Sequence, residues 1–162
     1  MRIQRDAVYT LDKLDRRILD LLQQNGRMSM TELADTVGLT VTPCIERVRR
    51  LERDGIITGY HARVNPSALE AGLLVFVEIS MSSKSERTFE EFRREVLCVP
   101  QVLECHLVSG DFDYMVKARI KEISQYRNLL GDILLRLPGV TQTKSCVVME
   151  EVKETQFIPA QQ

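Results

Sequence analysis

Two short stretches of this 162-residue chain carry residues whose types and spacing can do chemistry. The first is "TPCIERVRRLERDGIITGY", where Arg47, Arg49, Arg50 and Arg53 fall within seven positions, after Pro43 and before Gly55. Arginine carries a planar fork of N–H donors that fits phosphates and guanine edges, so a protruding helix with this face suits duplex DNA. The same charges can instead form a solvated helix face, paired with Glu46, Glu52 and Asp54. The second stretch is "SGDFDY", residues 109–114. Glycine admits positive φ and aspartates cap turns, so the stretch reads as a hairpin. It also offers what a free amino acid needs: backbone N–H donors around Gly110 for the carboxylate and Asp111 or Asp113 for the ammonium. Leu107, Val147 and Val148 are the aliphatic wall that goes with them.

Other chemistry is missing from the sequence. Cys44, Cys98, Cys105 and Cys146 form no CxxC pair, which suggests reduced thiols rather than a disulfide framework or a zinc site. Cys105 and His106, adjacent on a strand, point to opposite faces and cannot work as a dyad. With no HExxH, GxSxG or glycine-rich phosphate loop, no catalytic residue, metal or cofactor is expected, and the chain does not read as an enzyme. The net charge of −1 neither demands nor excludes a polyanion. Residues 1–64 hold eleven Lys and Arg against nine Asp and Glu, and the remainder eleven against fourteen, so any case for DNA rests on where the charges point. The apolar run at residues 73–77 is far too short to span a bilayer, and the charged start (Arg2, Arg5, Asp6) carries no secretory h-region. The expectation is a cytoplasmic protein with no membrane partner.

The elements that must position these stretches follow from periodicity. Leu11, Leu14, Ile18, Leu21 and Leu22 keep helical spacing until Asn25 and Gly26. Ser29 with Glu32 is a capping-box start for a short second helix that stops at Gly38. Thr40 is the expected N-cap of a third helix, with Pro43 in its first turn. Cys44, Ile45, Val48 and Leu51 make its apolar stripe; Thr42, Glu46, Arg49, Arg50 and Arg53 lie opposite, with Arg47 at the edge. "IITGYHARV" alternates enough for a strand, either a wing or a lead toward the next domain. After the Asn65-Pro66 join come strand "LLVFVEISM", helix "ERTFEEFRREVL", strands "VLECHLV" and "YMVKARI", helix "SQYRNLLGDILLRL" capped by Ser124, and strand "TKSCVVMEEV". The fold class is α+β: a winged helix-turn-helix, then a ferredoxin-like βαββαβ domain. The expected boundaries are residues 1–60 for DNA binding, 61–72 for the link, 73–153 for the effector-binding and oligomerisation domain, and 154–162 for a tail. Leu74 and Phe76 in the first strand, and Val147, Val148 and Met149 in the last, put apolar residues on both faces. That predicts self-association, sheet against sheet.

"TPCIERVRRLERDGIITGY" closely resembles the recognition-helix segment of the Lrp/AsnC family. "LLVFVEI", "ECHLVSGDFDYMVKARI", "YRNLLGDILLRLPGV" and "VVMEEVK" resemble that family's effector domain, most of all in its leucine-responsive branch. Val41 departs from that branch, which usually has a second proline there. The resemblance implies a transcriptional regulator of amino-acid metabolism that assembles as a dimer and further as an octamer, a tetramer of dimers. It reads a pseudo-palindromic operator in double-stranded DNA and answers to a free amino acid such as leucine, methionine or alanine bound at a subunit interface. The DNA set is then Ser29, Thr40, Thr42, Pro43, Glu46, Arg47, Arg49, Arg50 and Arg53. The effector set is Leu107, Ser109, Gly110, Asp111, Phe112, Asp113, Tyr114, Val147 and Val148. An architectural protein that wraps DNA without an effector is the alternative.

Overall fold

The computed structural model describes residues 10–160, apart from the side chains of Leu130 and Asp132. The charged start read above as lacking a leader lies outside them. The chain divides into two compact units, Met1–Arg63 with Lys153–Gln162, and Val64–Val152.

The first unit is three helices. In α1 (Lys13–Gln24) the start is fixed by a reciprocal box: Asp12 accepts the Asp15 N–H at 2.8 Å, and Asp15 accepts the Asp12 N–H at 3.2 Å. The Ser29 hydroxyl accepts the Glu32 N–H at 3.2 Å to open α2 (Met30–Val37). Gly38, at φ +77, closes it in the left-handed region that glycine enters without cost. Helix α3 (Val41–Arg53) follows. Thr40 is extended at its N-cap position, but the Thr40 hydroxyl makes no capping bond. Ile18, Leu33, Cys44 and Leu51 are wholly buried where the helices meet, each large aliphatic contributing about 1.5–3 kcal/mol. The strand expected over residues 56–64 does not form, because no partner strand lies alongside among the described residues. Instead the Ile56 and Ile57 N–H groups donate to the Leu51 carbonyl at 2.9 and 3.0 Å, and both side chains pack on the helical core.

The end of the chain belongs to this unit and lies along α1. Arg16 Nη1 donates to the Ala160 carbonyl at 2.6 Å, and the Ala160 N–H donates to Asp20 Oδ1 at 2.8 Å. Gln23 holds Ile158 from both sides, Nε2 to its carbonyl and Oε1 from its N–H, each at 2.8 Å.

The second unit has the expected βαββαβ order. Strands β1 (Leu73–Met81), β2 (Val102–Leu107), β3 (Tyr114–Ile120) and β4 (Val140–Val147) form one antiparallel sheet ordered β2-β3-β1-β4. Helix α4 (Glu86–Val96) buries Phe92 and Val96 against Val75, Val77, Ile79 and Val116. The second helix differs from expectation. It is a 3₁₀ turn at Ile123–Gln125, a π turn at Asn128–Ile133 and a 3₁₀ turn at Leu134–Arg136. Its buried anchors Leu129 and Leu134 are five residues apart, which a wide π turn aligns and an α-helix does not. Ser124, expected as its cap, donates instead to Glu122 Oε1 at 2.6 Å. Strand β4 stops at Val147, so Met149, 95% exposed, is not part of the sheet.

Candidate functional site

Helix α3 separates its two faces cleanly. Cys44, Val48 and Leu51 are buried, whereas Thr42, Glu46, Arg49 and Arg53 are exposed along the other side and Pro43 is half-buried in the first turn. Ser29 and Thr40, both exposed, border one open hollow of about 710 Å³ between α2 and α3. With no side-chain cap and no acidic residue in its first turn, α3 keeps backbone N–H groups and the positive end of its dipole available to an anion.

The four arginines do not share one environment. Arg47 Nη1 lies 2.6 Å from Asp12 Oδ2 and 2.8 Å from Asp15 Oδ1, and Arg50 Nη2 lies 2.6 Å from Asp15 Oδ2. Asp15 is 1% exposed. The Asp15 N–H and then the Arg47 guanidinium hold the Asp12 carboxyl below its usual range, and Asp12 followed by Asp15 raises Arg47 in turn. Arg53, 73% exposed at its side chain, is 3.4 Å from Asp54, and Arg49 is exposed with no ion pair among the described residues. The role of Asp15 was missed in the sequence. Its spacing to Ile18 and Leu22, three and seven residues on, puts it on the buried stripe of α1, and that was the available signal.

In the second unit, Ser109, Gly110 and Asp111 are exposed at the tip of the β2–β3 connection, with Phe112 half-buried behind them. Gly110 has φ +146 and open space where a side chain would project. Asp113 and Tyr114, by contrast, are 8% and 2% exposed. Asp113 Oδ2 accepts the Met81 N–H at 2.8 Å, its own N–H donates to the Ile79 carbonyl at 2.9 Å, and Oδ1 is 3.3 Å from Lys84 Nζ. The β1–β4 register shifts between Ser80 and Met81, and Asp113 supplies an acceptor at that break. Tyr114 stacks in the core 4.4 Å from the Phe92 ring.

One chain does not bring the effector set together. Leu107, 54% exposed, shares a cross-strand row with Tyr114, Ile79 and Thr143, whereas Val147 shares one with Val75 and Ala118. Four residues along β1 and three strand spacings separate them, about 13 Å by about 14 Å. Leu107 and Val147 wall a common pocket only if a second copy supplies one of them. The sheet face away from α4 carries Phe76 and Met115, both half-buried, and exposed Cys146 beside the Glu78–Lys144 pair at 3.5 Å. No group of three or more metal-ligating residues occurs among the described residues, and no described helix is long and apolar enough to cross a membrane.

Known proteins share this arrangement. Residues 74–158 match the Lrp/AsnC ligand binding domain, and residues 11–58 match a winged helix-turn-helix DNA-binding family. The leucine-responsive regulatory proteins of Escherichia coli (strain K12) and Serratia marcescens are each 56% identical over 145 residues, covering 90% of this chain and 88% of theirs. A transcriptional regulator from Neisseria meningitidis, solved as its L-Met complex, aligns with a TM-score of 0.87 at 35% identity, covering 93% of this chain and 97% of that one. An AsnC family transcriptional regulator from Agrobacterium tumefaciens gives 0.87 at 32% identity, covering 92% and 97%.

Proposed function

Because the chain belongs to the Lrp/AsnC family of transcriptional regulators, we propose that its α3 reads operator DNA and that a small aliphatic amino acid, bound beside the residue 109–111 turn, controls the reading. The protein is a DNA-binding regulator with an amino-acid-binding domain, and its relatives are regulators rather than enzymes. The observation that carries the reading is α3 itself, with one face locked into the core and the other exposed, cationic and uncapped at its N-terminus. In this reading Thr42, Glu46, Arg49 and Arg53 enter the major groove, while the N-terminal turns at Ser29 and Thr40 approach the flanking phosphates.

Two copies join through the sheet face that holds Phe76, Met115 and Cys146, and pairs assemble further into an octamer on DNA in the cytoplasmic nucleoid. A twofold pair reads half-sites about one helical turn apart, roughly 34 Å. The effector sits where copies meet, since Leu107 and Val147 are too far apart in one chain to share a ligand. The turn at Ser109, Gly110 and Asp111 supplies backbone donors to its carboxylate. Leucine, methionine and alanine fit an apolar wall, and the L-Met complex of the Neisseria regulator supports that class.

Thermal unfolding against each of the twenty amino acids, with sedimentation on any hit, tests this. A ligand at a hundredfold excess over its dissociation constant stabilises by about 2.7 kcal/mol. One aliphatic amino acid is expected to raise the midpoint and change the assembly size. A flat response to all twenty favours an architectural protein that wraps DNA without an effector.

A further inference from the structure

The arginines of α3 divide by partner. Asp15 has both carboxylate oxygens engaged by that helix, Oδ1 by Arg47 at 2.8 Å and Oδ2 by Arg50 at 2.6 Å, while Asp12 takes Arg47 at 2.6 Å. Two carboxylates and two guanidiniums make a cluster of no net charge. A carboxylate only 1% exposed cannot give up those partners without a large desolvation cost, so Arg47 and Arg50 are not free to leave for phosphate. The geometry is also directional, because two guanidiniums one turn apart on α3, held on the two oxygens of one α1 carboxylate, limit both rotation and sliding of α3.

We infer that Asp15 is a positioning residue for DNA reading. Through Arg47 and Arg50 it fixes α3 on α1, and so sets the direction in which Arg49 and Arg53 project; those two make the phosphate and base-edge contacts. The inference rests on α3 being the DNA reader. It reassigns two of the four arginines from the DNA to the scaffold that aims the others.

The test uses the full chain, a duplex selected from a random-sequence pool by the unsubstituted protein, and a scrambled duplex of the same composition. Arg49→Ala is expected to reduce the slope of log affinity against log salt by about 0.9 per recognition helix, the value of one phosphate contact. Arg50→Gln, which leaves Arg47 on Asp15, is expected to keep that slope while the preference for the selected duplex falls about tenfold. Asp15→Asn frees the Arg50 guanidinium, while Asp12 still holds Arg47 at 2.6 Å. The slope then steepens by up to about 0.9, so a fourfold rise in salt costs roughly 3-fold more affinity, and preference falls again. An Arg50→Gln slope lowered as much as that of Arg49→Ala overturns the assignment, and so does an unchanged slope with unchanged preference. If Asp15→Asn does not fold, Arg50→Gln alone decides. Loss of neither slope nor affinity in Arg49→Ala would show that α3 is not the reader, a separate failure.

Discussion

Asp113 can be assigned by comparing two substitutions. The carboxylate accepts the Met81 N–H at 2.8 Å where the β1–β4 ladder breaks, and it meets Lys84 at 3.3 Å, whose side chain is 75% exposed. Asp113→Ala removes the acceptor and leaves a buried N–H unpaired, at about 2–3 kcal/mol, which for a unit of this size lowers the midpoint by roughly 8–24 °C. Asp113→Asn keeps an oxygen for Met81 and loses only the ion pair to the exposed Lys84, worth about 1 kcal/mol. The expected outcome in chemical denaturation at fixed protein concentration is a large loss for alanine and a small one for asparagine. Amino-acid binding by calorimetry should survive in the asparagine variant, because both carboxylate oxygens are already engaged, one by the Met81 N–H and one by Lys84. Asparagine abolishing binding without moving the denaturation midpoint would refute this, and would return the ammonium to Asp113.

Two more outcomes are expected. At pH 8, iodoacetamide should modify Cys98 readily and Cys146 slowly in the assembled protein, with Cys146 catching up once the copies are separated by dilution. Cys105 should stay slow in both states because burial pushes its thiol up to about 11, and equal rates for Cys146 and Cys98 in the assembly would exclude the sheet-to-sheet contact. The depressed Asp12 carboxyl adds stability that is fully present above the unfolded value near 3.8 and is lost as pH falls through the lower folded value. Asp12→Asn should therefore flatten the acid limb of helical-unit unfolding, read by circular dichroism between about pH 4 and pH 2.

Periodicity carried most of the architecture, because one-sided burial leaves a pattern in sequence. Within their own helices Ile18 and Leu22, Leu33 and Val37, and Val48 and Leu51 keep helical spacing, and the β1 residues Val75, Val77 and Ile79 keep the period of two, so three helices and a βαββαβ order were legible. Where a position depended on a distant partner, the sequence was mute. Asp15 is an acid on a buried stripe, and only the arrival of Arg47 and Arg50 from α3 makes that tolerable. Residues 56–64 alternate like a strand but have no strand beside them among the described residues. Leu129 and Leu134 are five apart, a spacing that propensity reads as α-helix and packing turns into a π turn. Of the candidate site, the exposed turn at Gly110 was readable from residue type, whereas the burial of Asp113 and Tyr114 comes from β1 and α4, which meet them only in three dimensions.

The return of residues 153–160 to α1 sets the order in which the molecule can be finished. A ribosome makes the three helices first, yet Arg16, Asp20 and Gln23 wait for Ile158 and Ala160, which are synthesised only after the whole βαββαβ unit. The nascent helical unit therefore leaves the ribosome with those three side chains facing water and receives its last hydrogen bonds as its final step. An affinity tag fused behind Ala160 therefore acts first on α1, and not on the strands that precede the tail in sequence.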